Sequence, residues 1–181
     1  FISEIFRRKI SIKKIYSNAG PPGAALFQTK EGFTMAIDKV REFFKQYGRE
    51  NDVMEFAVSS ATVEKAAEAV GTQAARIAKT LSFYTKDMQA AFLIVTAGDM
   101  KIDNSKFKKY FGFKAKMVAH DDVEKLTGHA PGGVCPFANP TQVKTYLDIS
   151  MQRFETVFPA AGSSNSAIEL ACSELEKYSH A

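Results

Sequence analysis

Ile77-Ala78-Lys79-Thr80-Leu81-Ser82-Phe83-Tyr84-Thr85, a polar turn at Lys86-Asp87-Met88, and then Ala90-Ala91-Phe92-Leu93-Ile94-Val95-Thr96 form the stretch on which the fold turns. Both runs are short, apolar and rich in β-branched and aromatic residues, with turn residues between them, so they predict a strand pair. Alternation along the first strand puts Lys79, Leu81 and Phe83 on one face. An ammonium group is costly to bury without a partner. Lys79 is therefore either a sheet-edge lysine with its stem on apolar surface and its head in water, or a lysine held at a site.

Outward from this pair, helices and short strands mix without a regular βαβ alternation. Apolar positions Ile37, Val40, Phe43, Phe44 and Tyr47 predict a helix from Met35 to Tyr47, with Gly48 at its end. Val53–Val58 reads as a strand. Thr62 can cap a helix that buries Val63, Ala66, Ala67 and Val70 and stops at Gly71. Asn104 can cap a short helix that ends at Gly112, and another runs from Asp121 to Leu126 before Gly128. Met117–Ala119, Val143–Ile149, Thr156–Phe158 and Ala167–Leu170 are further strands, and a terminal helix starts at Ser173. The expected class is α+β, a curved mixed β-sheet with helices packed on it.

Residues 1–34 read differently and are set apart from a single domain over 35–181. Six of the chain's 24 Lys/Arg and two of its 20 Asp/Glu fall there, which leaves residues 35–181 without net charge. Bulk charge thus does not make the body a polyanion binder, and any nucleic-acid contact needs a local patch. Asn18-Ala19-Gly20-Pro21-Pro22-Gly23 breaks regular structure in this leader. It can be a vector-derived or mis-assigned leader ahead of a start at Met35, a basic docking arm, or a targeting peptide, the last fitting worst with Glu4 and Glu31. No stretch approaches the roughly 18 apolar residues of a membrane span. Two cysteines, Cys135 and Cys172, make no disulfide framework, so a reducing, cytoplasmic setting is expected. His and Cys spacing predicts no metal site.

Three segments can carry chemistry. Gly128-His129-Ala130-Pro131-Gly132-Gly133-Val134-Cys135-Pro136-Phe137 combines permissive glycines with stiffening prolines, so it is either a structural turn or a rigid loop presenting main-chain N–H groups as an oxyanion hole or phosphate cradle. Within it, Cys135 is a small packing residue or, with His129, a nucleophile. Lys101, Lys106, Lys108, Lys109, Lys114 and Lys116 lie near only Asp99 and Asp103 as acids, with Phe107, Tyr110, Phe111 and Phe113 between them. That pattern is an amphipathic helix, a surface for a phosphate backbone, or both.

The order of Lys79-Thr80-Leu81, Thr127-Gly128, Gly132-Gly133-Val134-Cys135-Pro136-Phe137, Phe158-Pro159-Ala160-Ala161-Gly162 and Ala167-Ile168-Glu169-Leu170 resembles the YbaK/ProX (YbaK/EbsC) family, relatives of the editing domain of bacterial prolyl-tRNA synthetases. The likeness spans residues 36–178. It implies a barrel-like mixed sheet flanked by helices and a free-standing, trans-editing aminoacyl-tRNA deacylase without metal or cofactor. A non-catalytic tRNA- or nucleotide-binding protein on the same fold is the alternative. The resemblance implies that Lys79 holds the phosphate or ribose end of the substrate. It also implies that Gly132, Gly133, Val134, Cys135 and Pro136 face the ester carbonyl through their backbone, and that a ribose hydroxyl helps activate water. Thr80 and Phe137 are expected beside the substrate, and Phe56, Val58, Gly162 and Ser163 around the amino-acid pocket. The implied partners are the acceptor end of a tRNA and a prolyl-tRNA synthetase. Cys135 stands where the family often has serine, and Ala138 where it often has glycine. Gly162-Ser163-Ser164-Asn165-Ser166-Ala167 lacks the charged side chains of cysteinyl-tRNA-hydrolysing members, so the amino acid removed stays open.

Overall fold

In a computed structural model, residues 36–181 are described, and the leader and Met35 lie outside them. The strand pair is present as β2 (Ile77–Tyr84) and β3 (Ala91–Ala97), antiparallel with Lys79 opposite Thr96 and Phe83 opposite Phe92. β4 (Lys144–Leu147) runs parallel to β3, β5 (Thr156–Pro159) parallel to the start of β2, and β7 (Leu170–Ala171) antiparallel to β5. The sheet order β4-β3-β2-β5-β7 is a curled, mixed half-barrel, with five α-helices among the described residues. A separate two-stranded ribbon pairs β1 (Met54–Glu55) with β6 (Ser166–Ala167).

Every residue of β3 is buried because the sheet is covered on both faces. On one face Ala78, Val95 and Ala97 meet Ile37, Val40 and Phe44 of α1 (Ala36–Lys45) and Leu175 and Tyr178 of α5 (Cys172–Ser179). On the other, Leu81, Phe83, Phe92 and Ile94 pack under Phe107 and Phe111 of α3 (Asn104–Phe111). Phe107 lies between Phe83 and Phe111 with ring centroids 5.1 and 4.6 Å away. Burying one such ring contributes about 1.5–3 kcal/mol.

Local signals explain the helix ends. Thr62 caps α2 (Val63–Val70) by accepting from the amide of Lys65, and Gly71 ends it in the left-handed region. Gly128 does the same for α4 (His120–Thr127), at φ +76°. Four expectations need correction. The cap of α3 is Asp103, whose carboxylate accepts from the amides of Ser105 and Lys106, so Asn104 is already inside the helix. The strand expected over Val53–Val58 is only Met54–Glu55, because β6, its sole partner, is two residues long. Ala167–Leu170 is divided between β6 and β7, because Ile168 and Glu169 between them lie in neither ladder. Met117–Ala119 contributes a single bridge to Phe83.

Asp103→Ala is expected to lower the unfolding free energy by about 1 kcal/mol through loss of the cap, and Asn104→Ala to change it by less than about 0.5 kcal/mol. Urea denaturation of both variants checks the assignment.

Candidate active site

The glycine loop begins where α4 stops. Thr127, fully buried, donates its hydroxyl to the Val123 carbonyl (2.7 Å) and accepts from the amide of His129 (3.3 Å), which anchors the first residues. A tight turn follows, closed by the Gly133 amide on the Ala130 carbonyl (2.9 Å). Gly132 sits at φ +86°, a conformation that residues with a side chain rarely adopt. Gly133 has a different reason to be glycine: a Cβ there would fall 2.7 Å from the Gly162 carbonyl oxygen and 2.9 Å from Ser163 Cα.

Beyond the turn, two side chains hold the loop by its carbonyls. His129 Nε2 lies 2.9 Å from the Phe137 carbonyl, and Asn139 Nδ2 donates to the Cys135 carbonyl at 3.1 Å. A carbonyl oxygen only accepts, so Nε2 carries the proton and donates it. With those carbonyls occupied, the amides of Gly132, Val134 and Cys135 meet no acceptor among the described residues. Asn139 gave no signal in the sequence beyond being a polar residue between Ala138 and Pro140. Ala138 itself sits at φ +52°, which accounts for glycine being common there in the family it resembles.

Opposite Gly132 and Gly133 stands the loop 162–166. Ser166 accepts from the Ser163 amide (3.1 Å), Ser163 donates to Asn165 Oδ1 (2.9 Å), and Asn165 Nδ2 reaches the Phe56 carbonyl (2.8 Å). The amide of Ser60 bonds the Ser164 carbonyl at 2.6 Å. Gly132, Ala61 and Ser164 thus lie side by side, with Ala61 Cβ 3.6 Å and Ser164 Cβ 3.3 Å from the place of a Cβ on Gly132. The structure therefore brings together Gly132, Gly133, Gly162 and Ser163, and ties Phe56 to them through its backbone.

Other expected positions fall elsewhere. Val58 is 64% exposed, since the strand that was to turn it inward ends at Glu55. Phe137 is core, 4.9 Å from the ring of Phe44, and has no exposed surface. Lys79 is half-buried and lies on β2, a strand inside the sheet order rather than at its edge. Its ammonium donates to the carbonyls of Gly98 (3.2 Å) and Met100 (2.6 Å), which leaves one of its three donors. Burial lowers its pKa, and the negative charges of Asp99 and Glu64 partly offset that. Alternation sets Thr80 on the opposite face, between Ala78, which clusters with Cys135, and Tyr84, whose cluster Val134 joins. The Thr80 hydroxyl is buried without a partner among the described residues. Among the described residues no hydrogen bond or ion pair joins Lys79 to the glycine loop. The segment Ala61–Glu64 lies between them, with Ala61 against Gly132 and Glu64 acting on the Lys79 charge.

Cys135 and His129 are neighbours, Sγ to Nε2 3.6 Å, yet they do not form a nucleophile pair. The thiol is wholly buried, and burial pushes its pKa up to about 12, with backbone groups of Phe137 and Gly162 pulling it partway back. Burial also lowers the pKa of His129, whose Nε2 proton is committed to the Phe137 carbonyl. The imidazole nitrogen facing the thiol therefore cannot accept its proton. Among the described residues no group of three His, Cys, Asp or Glu could share a metal ion.

A sequence profile described as the aminoacyl-tRNA editing domain matches residues 58–178. The uncharacterized protein YwhH of Bacillus subtilis is 54% identical over 145 residues, covering 80% of this chain and 92% of YwhH. The proline–tRNA ligase of Limosilactobacillus fermentum is 28% identical over 113 residues, which make up 60% of this chain but 20% of the ligase. A solved structure described as a candidate trans-editing enzyme for prolyl tRNA synthetase superposes with a TM-score of 0.73 at 26% identity, covering 83% of this chain and 95% of that one. Both the glycine loop and the loop opposite it fall inside the matched residues. The chain belongs to the aminoacyl-tRNA editing domain family.

Proposed function

We infer that this chain is a free-standing hydrolase that removes a small, wrongly attached amino acid from a tRNA of the proline-accepting type. The observation that carries the reading is the set of unpaired amides at Gly132, Val134 and Cys135, in a loop whose carbonyls are held by His129 and Asn139. Fixed N–H dipoles of this kind stabilise the oxyanion that develops when water adds to an ester carbonyl, without reorganising as the charge forms. Likeness to a segment of a proline–tRNA ligase and to a trans-editing protein supports the choice of tRNA.

In this mechanism the ester carbonyl oxygen rests on the loop amides. Water attacks the carbonyl carbon, the acyl–oxygen bond to the ribose breaks, and the ribose oxygen leaves with a proton from that water. The neighbouring ribose hydroxyl positions the water, so no side-chain nucleophile takes part. Lys79 offers its remaining donor to the phosphate or ribose end of the substrate. The loop 162–166 forms one wall of the amino-acid pocket and carries only small and uncharged side chains. A compact second pocket suits editing, because a synthetase separates side chains that differ by one methylene by only about 1–3 kcal/mol. A prolyl-tRNA synthetase that supplies the mischarged product is the fitting protein partner.

Purified protein incubated with tRNA charged with Ala, Cys, Ser, Thr or Pro is expected to clear one mischarged species, and Lys79→Ala to lose that activity. Binding without turnover for the whole panel would return the chain to the non-catalytic alternative. Gly133→Ala is expected to reduce kcat by about 10²–10³-fold, because its Cβ forces the two loops apart and displaces an oxyanion donor. Wild-type kcat in that variant would refute the backbone mechanism. Cys135→Ser is expected to keep activity within about tenfold, and iodoacetamide to leave the native enzyme active at neutral pH, since a thiol titrating at about 12 is almost wholly protonated there. Loss of activity in both experiments would restore the thiol nucleophile.

A further inference from the structure

We propose that the ridge formed by α3 and its flanking turns, from Lys101 to Lys116, is the surface on which the phosphate backbone of the tRNA lies; this rests on the editing reading and names where the rest of the substrate goes. Six lysines occur in this segment, and all are exposed. The two nearby acids are engaged elsewhere. Asp99 makes a two-pronged pair with Arg153 (2.6 and 3.0 Å), and Asp103 spends its carboxylate on the first turn of α3. Among the described residues no carboxylate stands within ion-pair distance of Lys101, Lys108, Lys109 or Lys114. Since residues 35–181 carry no net charge, the excess is local to this ridge.

The ridge is rigid and leads to the candidate site. Phe107, Phe111 and Phe113 anchor it to β2 and β3, so the lysines stand on a fixed base. At its start, Lys101 is close enough for its charge to act on Lys79, whose ammonium rests on the carbonyls of Gly98 and Met100 in the same connection. Positive charge therefore runs from Lys79 through Lys101 and along α3, with Asp99 and Asp103 as the acids at its start, a track of about 12 Å for the eight residues of the helix alone. Tyr110, 52% exposed between Lys109 and the turn at Gly112, adds a ring on which an unpaired base can stack. An acidic protein would also be attracted by the charge, but the spaced lysines with an exposed ring match a nucleic-acid strand better.

The test is a salt titration of uncharged tRNA binding to the full chain, for wild type and for Lys101→Gln/Lys108→Gln/Lys109→Gln/Lys114→Gln. A control variant replaces Lys45, Lys125 and Lys177, exposed lysines of α1, α4 and α5. Circular dichroism and thermal melting verify folding of both. The ridge variant is expected to bind at least about tenfold more weakly, with a log K against log salt slope shallower by about 3, while the control matches wild type. With mischarged tRNA it is expected to raise KM and leave kcat unchanged. Equal affinity and slope in wild type and ridge variant, or polyglutamate binding as tightly as tRNA at equal charge, would overturn the proposal. The editing reading fails separately: ridge-dependent binding with no hydrolysis by wild type would keep the surface and remove the activity, whereas hydrolysis with an unaltered KM in the ridge variant would keep the activity and remove the surface.

Discussion

Two backbones pass each other at Gly133 and Gly162 with no room for a side chain between them. The place where a Cβ on Gly133 would stand is occupied by the Gly162 carbonyl, and a Cβ on Gly162 would fall 2.6 Å from the Ala36 carbonyl at the start of α1. Three segments far apart in the chain therefore meet largely through main chain, with the Val40 side chain 2.9 Å from the same point on Gly162. Side-chain packing can absorb a methyl group by small shifts, but backbone against backbone cannot, because each strand of the contact is fixed by its own hydrogen bonds. The tight turn at Ala130–Gly133 and the serine- and asparagine-bonded loop 162–166 supply that fixity on either side.

That constraint also bears on the proposed chemistry. Because the loop is shaped by Pro131 and Pro136, by buried Thr127, and by His129 and Asn139 on its carbonyls, its donors are placed without help from a ligand. Cys135 belongs to this scaffold. Its sulfur fills the core beside Phe137, and its burial removes the thiolate that a nucleophile would need. The two most reactive side-chain types in the loop are thus structural, and in the proposed mechanism main-chain amides take their place.

Much of this was legible in the sequence where a local rule and the tertiary structure agree. The apolar runs around Lys79 and Leu93, the Thr62 cap and the stops at Gly71, Gly112 and Gly128 all follow from patterns spanning a few residues, and each is present. The misses arose where long-range pairing decides. Nothing within Val53–Val58 reveals that its partner strand is two residues long, and nothing within Ala167–Leu170 reveals that its ends join different strands. Asp103 and Asn104 are equally good caps by type, and only the direction of the preceding chain selects one. At the candidate site the glycines were visible as unusual spacing, but the brace of Asn139 on the Cys135 carbonyl required the loop to be folded back on itself.

The topology also has a temporal side. The β2–β3 hairpin joins neighbouring residues through a short turn, and such hairpins close in about 1–10 μs. β5 must instead travel back across some 80 residues to lie beside Ile77 and Ala78, and only then can loop 162–166 reach the glycine loop. Non-local pairings of this kind form late, since the entropy of loop closure is lost before their contacts are gained. A chain still emerging from its own synthesis can thus form the hairpin that carries Lys79, while the glycine loop and loop 162–166 stay apart until β5 has docked.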